Sequence, residues 1–203
     1  MTIDFVGIRA GHGTTTVALA AAALLSHRRP TRISAHEPAD LCAIAAIPPG
    51  EFPFEIAHQL EAVPDGEQAD IVDTGALPPP LGLPGFAIRP AATAGEAPEN
   101  LRVGVLRGPD YLGLRTLCAH AGEPLSGIIV LAEADRVLDR RDVEAVTGRT
   151  VLAEVQLTPR LARSLDAGLF ANHASNLREL AELDRWLFAT LDAPKEAPCT
   201  CIP

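Results

Sequence analysis

Eight residues, Arg9-Ala10-Gly11-His12-Gly13-Thr14-Thr15-Thr16, join a short apolar run, Ile3 to Ile8, to a long Ala/Leu segment from Thr14 to Leu25. An apolar run that ends at glycines and is followed by a long helical stretch reads as strand, loop, helix. Glycine permits backbone angles and close approach that larger residues forbid. The N-terminus of the following helix adds free N–H groups and roughly half a positive charge. The loop is therefore a candidate anion site. The three threonines are placed to cap the helix, and a threonine early in it can ligate Mg²⁺ beside bound phosphates. The same two glycines also suit a tight turn that binds nothing.

The alternation begun here continues along the chain. Arg32 to Ala35 reads as a strand, and Ala39 to Ile47 as a helix closed by Pro48, Pro49 and Gly50. Phe52 to Val63 mixes the two periods, with a strand favoured at its start. Ala69 to Val72 is a strand ending at the polar turn Asp73-Thr74-Gly75, whereas Leu77 to Pro98 is too rich in Pro and Gly for regular structure. Strands at Leu101 to Leu106 and Ser126 to Leu131 bracket a helix from Tyr111 to Ala121. A helix at Asp139 to Thr147, an edge or final strand at Val151 to Val155, and closing helices at Pro159 to Ala167 and Ser175 to Leu191 complete the order. This predicts an α/β fold in three layers, a mostly parallel sheet with helices on both faces, whose ligands sit at the carboxyl ends of the strands. A chain of 203 residues fits one domain, over 1–193, with 194–203 a Pro/Cys-containing tail. Hydrophobic residues make up 47% and aromatics 4%, so the core must be built from Ala, Leu, Val and Ile.

The formal charge of −9 argues against general nucleic-acid binding through counterion release. The densest basic cluster, His27, Arg28 and Arg29 with Arg32, reads as a solvated helix end. Val17 to Leu25 is too short to span a bilayer and follows a glycine turn, so no membrane span is expected. Cys42, Cys118, Cys199 and Cys201 form no CxxC pair, which suits a reduced, cytoplasmic setting. Cys199 and Cys201 can bind metal or oxidise, but they also fit a loose tail. Trp186, bounded by Asp184 and Arg185, reads as core packing.

The loop resembles the deviant Walker A loop of the ParA/MinD group of P-loop ATPases, Lys-Gly-Gly-x-Gly-Lys-Thr-Thr, with Gly11, Gly13, Thr15 and Thr16 on matching positions. Arg9 replaces the signature lysine and Thr14 the second, P-loop lysine. Asp70-Ile71-Val72-Asp73-Thr74-Gly75 is similar to the family's Walker B strand, and Leu101 to Leu106 with Arg107-Gly108-Pro109-Asp110 to a later strand and turn. The resemblance implies ATP or ADP with Mg²⁺ as cofactors, a nucleotide site of Arg9, Gly11, His12, Gly13, Thr14, Thr15 and Thr16, and Thr15 with Asp73 at the metal. It also implies a homodimer, or a heterodimer with a related or regulatory protein. Two further chemical positions depart from the pattern. Ala35-His36-Glu37-Pro38 stands where the family has Asp-x-Asp-Pro, and Leu131-Ala132 where it often has an adenine-reading asparagine.

Several individual residues admit two readings. His12 suits a phosphate or partner contact, or a solvated side chain. Asp73 suits Mg²⁺ or an ordinary turn. His36 and Glu37 share an edge as a candidate acid/base pair, although neighbours on a strand point to opposite faces. Three functions follow. The first is a positioning or partitioning protein, or regulatory partner, of ParA/MinD type with weak or absent ATP hydrolysis. The second is an active ATPase in which Arg9 substitutes for the signature lysine. The third takes Gly11-x-Gly13-x-x-Thr16 as a Rossmann-like dinucleotide loop of an oxidoreductase, with Glu37 as the ribose-binding acid.

Overall fold

The computed structural model describes residues 1–48, 50, 52–78 and 100–191. Its strands are β1 (Thr2–Gly7), β2 (Thr31–Ala35), β3 (Phe54–Ala57), β4 (Leu60–Ala62), β5 (Ile71–Ala76), β6 (Asn100–Arg107), β7 (Gly127–Ala132) and β8 (Val151–Gln156). They form one sheet in the order β3-β4-β2-β5-β1-β6-β7-β8. Every pairing is parallel except β3 with β4. The helices are α1 (Thr14–Ser26), α2 (Pro38–Ala45), α3 (Tyr111–Ala119), α4 (Arg140–Thr147), α5 (Pro159–Asp166), α6 (Phe170–His173) and α7 (Ala181–Leu191).

Strand periodicity divides the apolar residues between two faces. Ile3 and Phe5 of β1 join Val103, Val105, Ile129 and Leu131 in the core shared with α1, α6 and α7. Val6 and Ile8 join Leu106, Ile128 and Val130 in the core covered by α3 and α4. The three predicted layers are thus present. Helix α1 is enclosed on all sides: Val17 to Ser26 are all buried. Four consecutive alanines, Ala20 to Ala23, keep it thin enough to lie between the sheet and α7. Trp186 packs edge-on against Phe5 with ring centroids 6.5 Å apart, as expected of core packing.

Several boundaries differ from the sequence reading. The ambiguous stretch after Phe52 is a small antiparallel hairpin, β3 and β4, that extends the sheet edge beside β2. The strand expected at Ala69 begins at Ile71 and runs through Asp73 to Ala76. The helix expected from Ser175 to Leu191 is broken: two 3₁₀ turns, Ala174–Asn176 and Arg178–Leu180, precede α7. Leu177 between them has extended backbone, which lets Ala174, Leu177 and Leu180 all reach the core. The basic cluster is neutralised at the surface, Arg28 by Asp184, Arg29 by Asp70 and Arg32 by Glu61. Such exposed pairs add little stability, but they leave no free basic patch there. Most of the Pro-rich stretch 77–98, and the tail with Cys199 and Cys201, lie outside the described residues. Among the described residues no helix is long and apolar enough to cross a membrane.

Candidate functional site

β1 delivers the glycine loop to the carboxyl edge of the sheet, flanked by β5 and β6. Two backbone bonds fix its base, from Leu77 N–H to the Gly7 carbonyl at 2.7 Å and from Ile8 N–H to the Val105 carbonyl at 2.9 Å. The loop then turns through Gly11 and Gly13, both left-handed with φ of +78° and +77°. At Gly13 a methyl group would also meet the Leu131 side chain at 2.6 Å, so both the conformation and the space demand glycine.

Gly13, not a threonine, is the N-cap of α1, and no side chain caps the helix. This corrects the expected capping role of Thr14, Thr15 and Thr16. The physical reason is the left-handed Gly13, which brings the chain into the helix from a tight turn and places all three threonines in its first turn. Their N–H groups have no acceptor among the described residues, as is usual for a first turn that faces solvent or a ligand.

The hydroxyls serve other ends. Thr15 donates to the Asp73 carboxylate at 2.6 Å, across 58 positions of sequence, and Gly75 N–H donates to the other carboxylate oxygen at 3.0 Å. Asp73 is 3% exposed, and burial pushes its carboxyl above the ordinary aspartate range, opposed by these two bonds and by His36. Thr14 is turned inward, its hydroxyl occupying the space that a side chain at Gly7 would need.

A cleft of about 270 Å³ opens between the loop and α2, with Arg9, Glu37, Asp40 and Asp73 as its charged residues. Arg9 is exposed at its mouth and has no ion-pair partner among the described residues. Glu37 is the N-cap residue of α2, and the His36 ring lies against Gly75. No hydrogen bond joins His36 to Glu37, so the acid/base pair is not assembled.

His12 differs from the solvated reading, being only 7% exposed. Its Nδ1 accepts from Arg107 N–H at 3.4 Å, and its ring fits over Gly113, where a Cβ would come within 3.5 Å of Cε1. Burial holds its pKa below the usual histidine value, with Arg9 and Arg107 acting in the same direction against Asp110 and the Val105 carbonyl. A neutral, buried His12 ties the loop to β6 and α3.

On the other side of the loop lies a second cleft of about 470 Å³, which sequence reasoning missed. Leu131, Leu157, Pro159, Ala162 and Leu165 give it apolar walls, and Gly13 and Thr16 connect it to the loop. At its rim Arg107 pairs with Glu133 at 2.7 Å, and Glu133 also pairs with Arg136. Those hydrogen bonds, Arg136 first and then Arg107, keep the Glu133 carboxyl below the usual carboxylate range. The available signal was Thr158-Pro159, an N-cap followed by Pro at the first helical position.

These residues fit some parts of a magnesium nucleotide and not others. A buried carboxylate bonded to a helix-start hydroxyl is a hard oxygen pair suited to Mg²⁺, and the loop offers free N–H groups to phosphate. The apolar cleft can take a flat ring. The cation that normally answers the outer phosphates is missing at Thr14, and the cleft carries Glu37 and Asp40 instead.

A parallel sheet with β5 inserted between β1 and β2, and a glycine loop running from β1 into α1, is the fold seen in P-loop nucleotide hydrolases. Dinucleotide-binding sheets set β1 directly against β2, so the Rossmann-like expectation does not match this strand order. Within that class the fold is the one found in ParA/MinD ATPases. A ParA family ATPase from Chlorobium tepidum superposes with a TM-score of 0.65 at 16% identity, covering 92% of this chain and 98% of that one. A chain of the MinC:MinD cell division protein complex of Aquifex aeolicus gives 0.69 at 12%, covering 94% and 95%. The septum site-determining protein MinD from Pyrococcus horikoshii, complexed with Mg-ADP, gives 0.66 at 14%, covering 95% and 97%. By sequence, no family description matches the chain, and no curated protein does.

Proposed function

We propose that this protein is a ParA/MinD-like switch with a degenerate phosphate loop, which binds a magnesium nucleotide weakly and hydrolyses it slowly or not at all. The observation that carries this reading is the contrast between two adjacent residues. Thr15 keeps its 2.6 Å bond to Asp73, the pair suited to Mg²⁺. Thr14 brings no cation to the place where the outer phosphates would lie, and its hydroxyl is packed against Gly7. A neutral hydroxyl does not offset charge developing on a transferring phosphoryl group.

In this reading Gly11, Gly13 and the first turn of α1 hold phosphates, Thr15 and Asp73 hold Mg²⁺, and the apolar cleft beside Leu131 receives the base. Bound Mg²⁺ would supply charge neutralisation between the phosphates and Asp73. His12 positions the loop without touching the ligand. Output comes through a second subunit or a regulatory partner in the cytoplasm, in a positioning or partitioning process.

Calorimetry with ATP, ADP and NAD, each with and without Mg²⁺, tests the reading, together with a phosphate-release assay. Magnesium-dependent binding of ATP and ADP, no binding of NAD, and no release above background are expected. Turnover on the order of 1 s⁻¹ or faster would overturn it. The exposed, unpaired Arg9 favours one second reading, an active ATPase that borrows its guanidinium. Arg9→Ala would then abolish turnover.

A further inference from the structure

Away from the loop, the outer side of α5 forms a third cleft of about 310 Å³ with α6 and the 3₁₀ turn that follows it. Its polar lining is Arg160, Arg163, Ser164, His173 and Asn176, with no carboxylate among the lining residues. In a chain of net charge −9 this concentration of positive charge needs an explanation. Spacings of three and four residues along α5 bring Arg160, Arg163 and Ser164 to one face of the helix.

Three features point to a ligand. The Arg163 guanidinium has no partner among the described residues. Arg160 donates to the Asn176 carbonyl at 2.9 Å, which fixes its head at the cleft while leaving its other N–H groups available. The Ser164 hydroxyl is buried and has no hydrogen-bond partner among the described residues, although a buried hydroxyl left unmatched is costly. Glu179 is near enough to feel the charge of Arg160, but its Oε1 accepts from Thr158 at 2.6 Å, its buried Oε2 has no hydrogen-bond partner among the described residues, and it makes no ion pair with Arg160.

We propose that this cleft binds a phosphate-type dianion, as inorganic phosphate or as the phosphoryl group of a monoester, whether free or on a lipid headgroup. The two guanidinium groups supply the charge-assisted donors that phosphate geometry favours, and Ser164 adds a donor at the floor. This site is independent of the nucleotide reading, because α5 presents Pro159, Ala162 and Leu165 to the apolar cleft and its arginines to this one.

Titrating inorganic phosphate into the ¹⁵N-labelled full chain, followed by amide shifts, tests the proposal. Saturable shifts at Ser164, Ala167 and Asn176 are expected, and Arg163→Gln, which removes no contact within the protein, weakens the affinity read there by about tenfold. Shifts at Gly11 to Thr16 in the same spectra report on the phosphate loop separately. Sedimentation with phosphatidylcholine vesicles, with and without phosphatidic acid, identifies the source. Pelleting that needs phosphatidic acid and Arg163 assigns a headgroup, whereas phosphate shifts without pelleting assign a free anion. Absence of both responses, or an affinity unchanged by Arg163→Gln, overturns the proposal.

Discussion

Replacing Thr15 by Val removes one hydroxyl and puts a methyl group of nearly equal size in its place, so no cavity opens and the helix keeps its length. The change falls on Asp73, 3% exposed, whose carboxylate is left with the Gly75 N–H as its single hydrogen-bond donor among the described residues. Hydrogen bonds to charged groups contribute about 1.5–3 kcal/mol, so a loss of about 2 kcal/mol is expected at neutral pH. For a chain of this size that lowers Tm by roughly 4–8 °C. The pH dependence has a definite sign. Burial already raises the native pKa of Asp73 above 3.8, so the native state binds more protons than the unfolded state between the two values. Stability is therefore highest below the unfolded value and falls as pH rises through the native one. Loss of the Thr15 bond, which favours the ionised form, raises the native pKa further. Urea unfolding at pH 4.5 and 7.5 measures both effects, with a larger penalty expected at pH 7.5. A penalty below about 0.5 kcal/mol at both pH values, or one equal at both, would refute the argument that Thr15 stabilises a buried carboxylate.

Two further outcomes follow from the loop. His12 has a native pKa below 6.5, so the unfolded state binds more protons and stability drops as pH falls below 6.5, by up to about 1.4 kcal/mol per pH unit. His12→Gln should flatten that slope between pH 7.5 and 5.5 in urea titrations, with the other histidines common to both proteins; an unchanged slope would show that His12 is not its source. Gly13→Ala forces a φ of +77° on a residue with a Cβ and pushes against Leu131, at a cost of about 1–3 kcal/mol in the same assay. A neutral result there would mean that the loop relaxes without strain.

The alternation of the fold was legible because buried parallel strands read as short apolar runs: Ile3 to Ile8, Leu101 to Leu106 and the run at Gly127 to Val130 all became strands in the expected order. Helix α1 was legible for the same reason, since an unbroken Ala/Leu segment has no polar face to expose. The loop's place between them followed from its glycines. What escaped depended on partners distant in sequence. Arg107 meets Glu133 across 26 positions and leaves no local pattern, whereas Thr15 and Asp73, 58 positions apart, were brought together in the sequence reading only by the family resemblance. The burial of His12 was not legible, because it depends on Gly113, which has no side chain in the way. The closing helix was read as continuous because its residues favour helix, yet packing Ala174, Leu177 and Leu180 against the core broke it.

The sheathing of α1 limits how such a molecule can signal. A rod clasped by the sheet, α2, α6 and α7 cannot slide or tilt unless its surroundings come apart, so it anchors the loop in place of transmitting its state. α5 is built differently: one face lines the apolar cleft, the other carries Arg160 and Arg163, and Leu161 is its one buried residue. A ligand in the apolar cleft would thus press on α5 and leave α1 where its neighbours hold it.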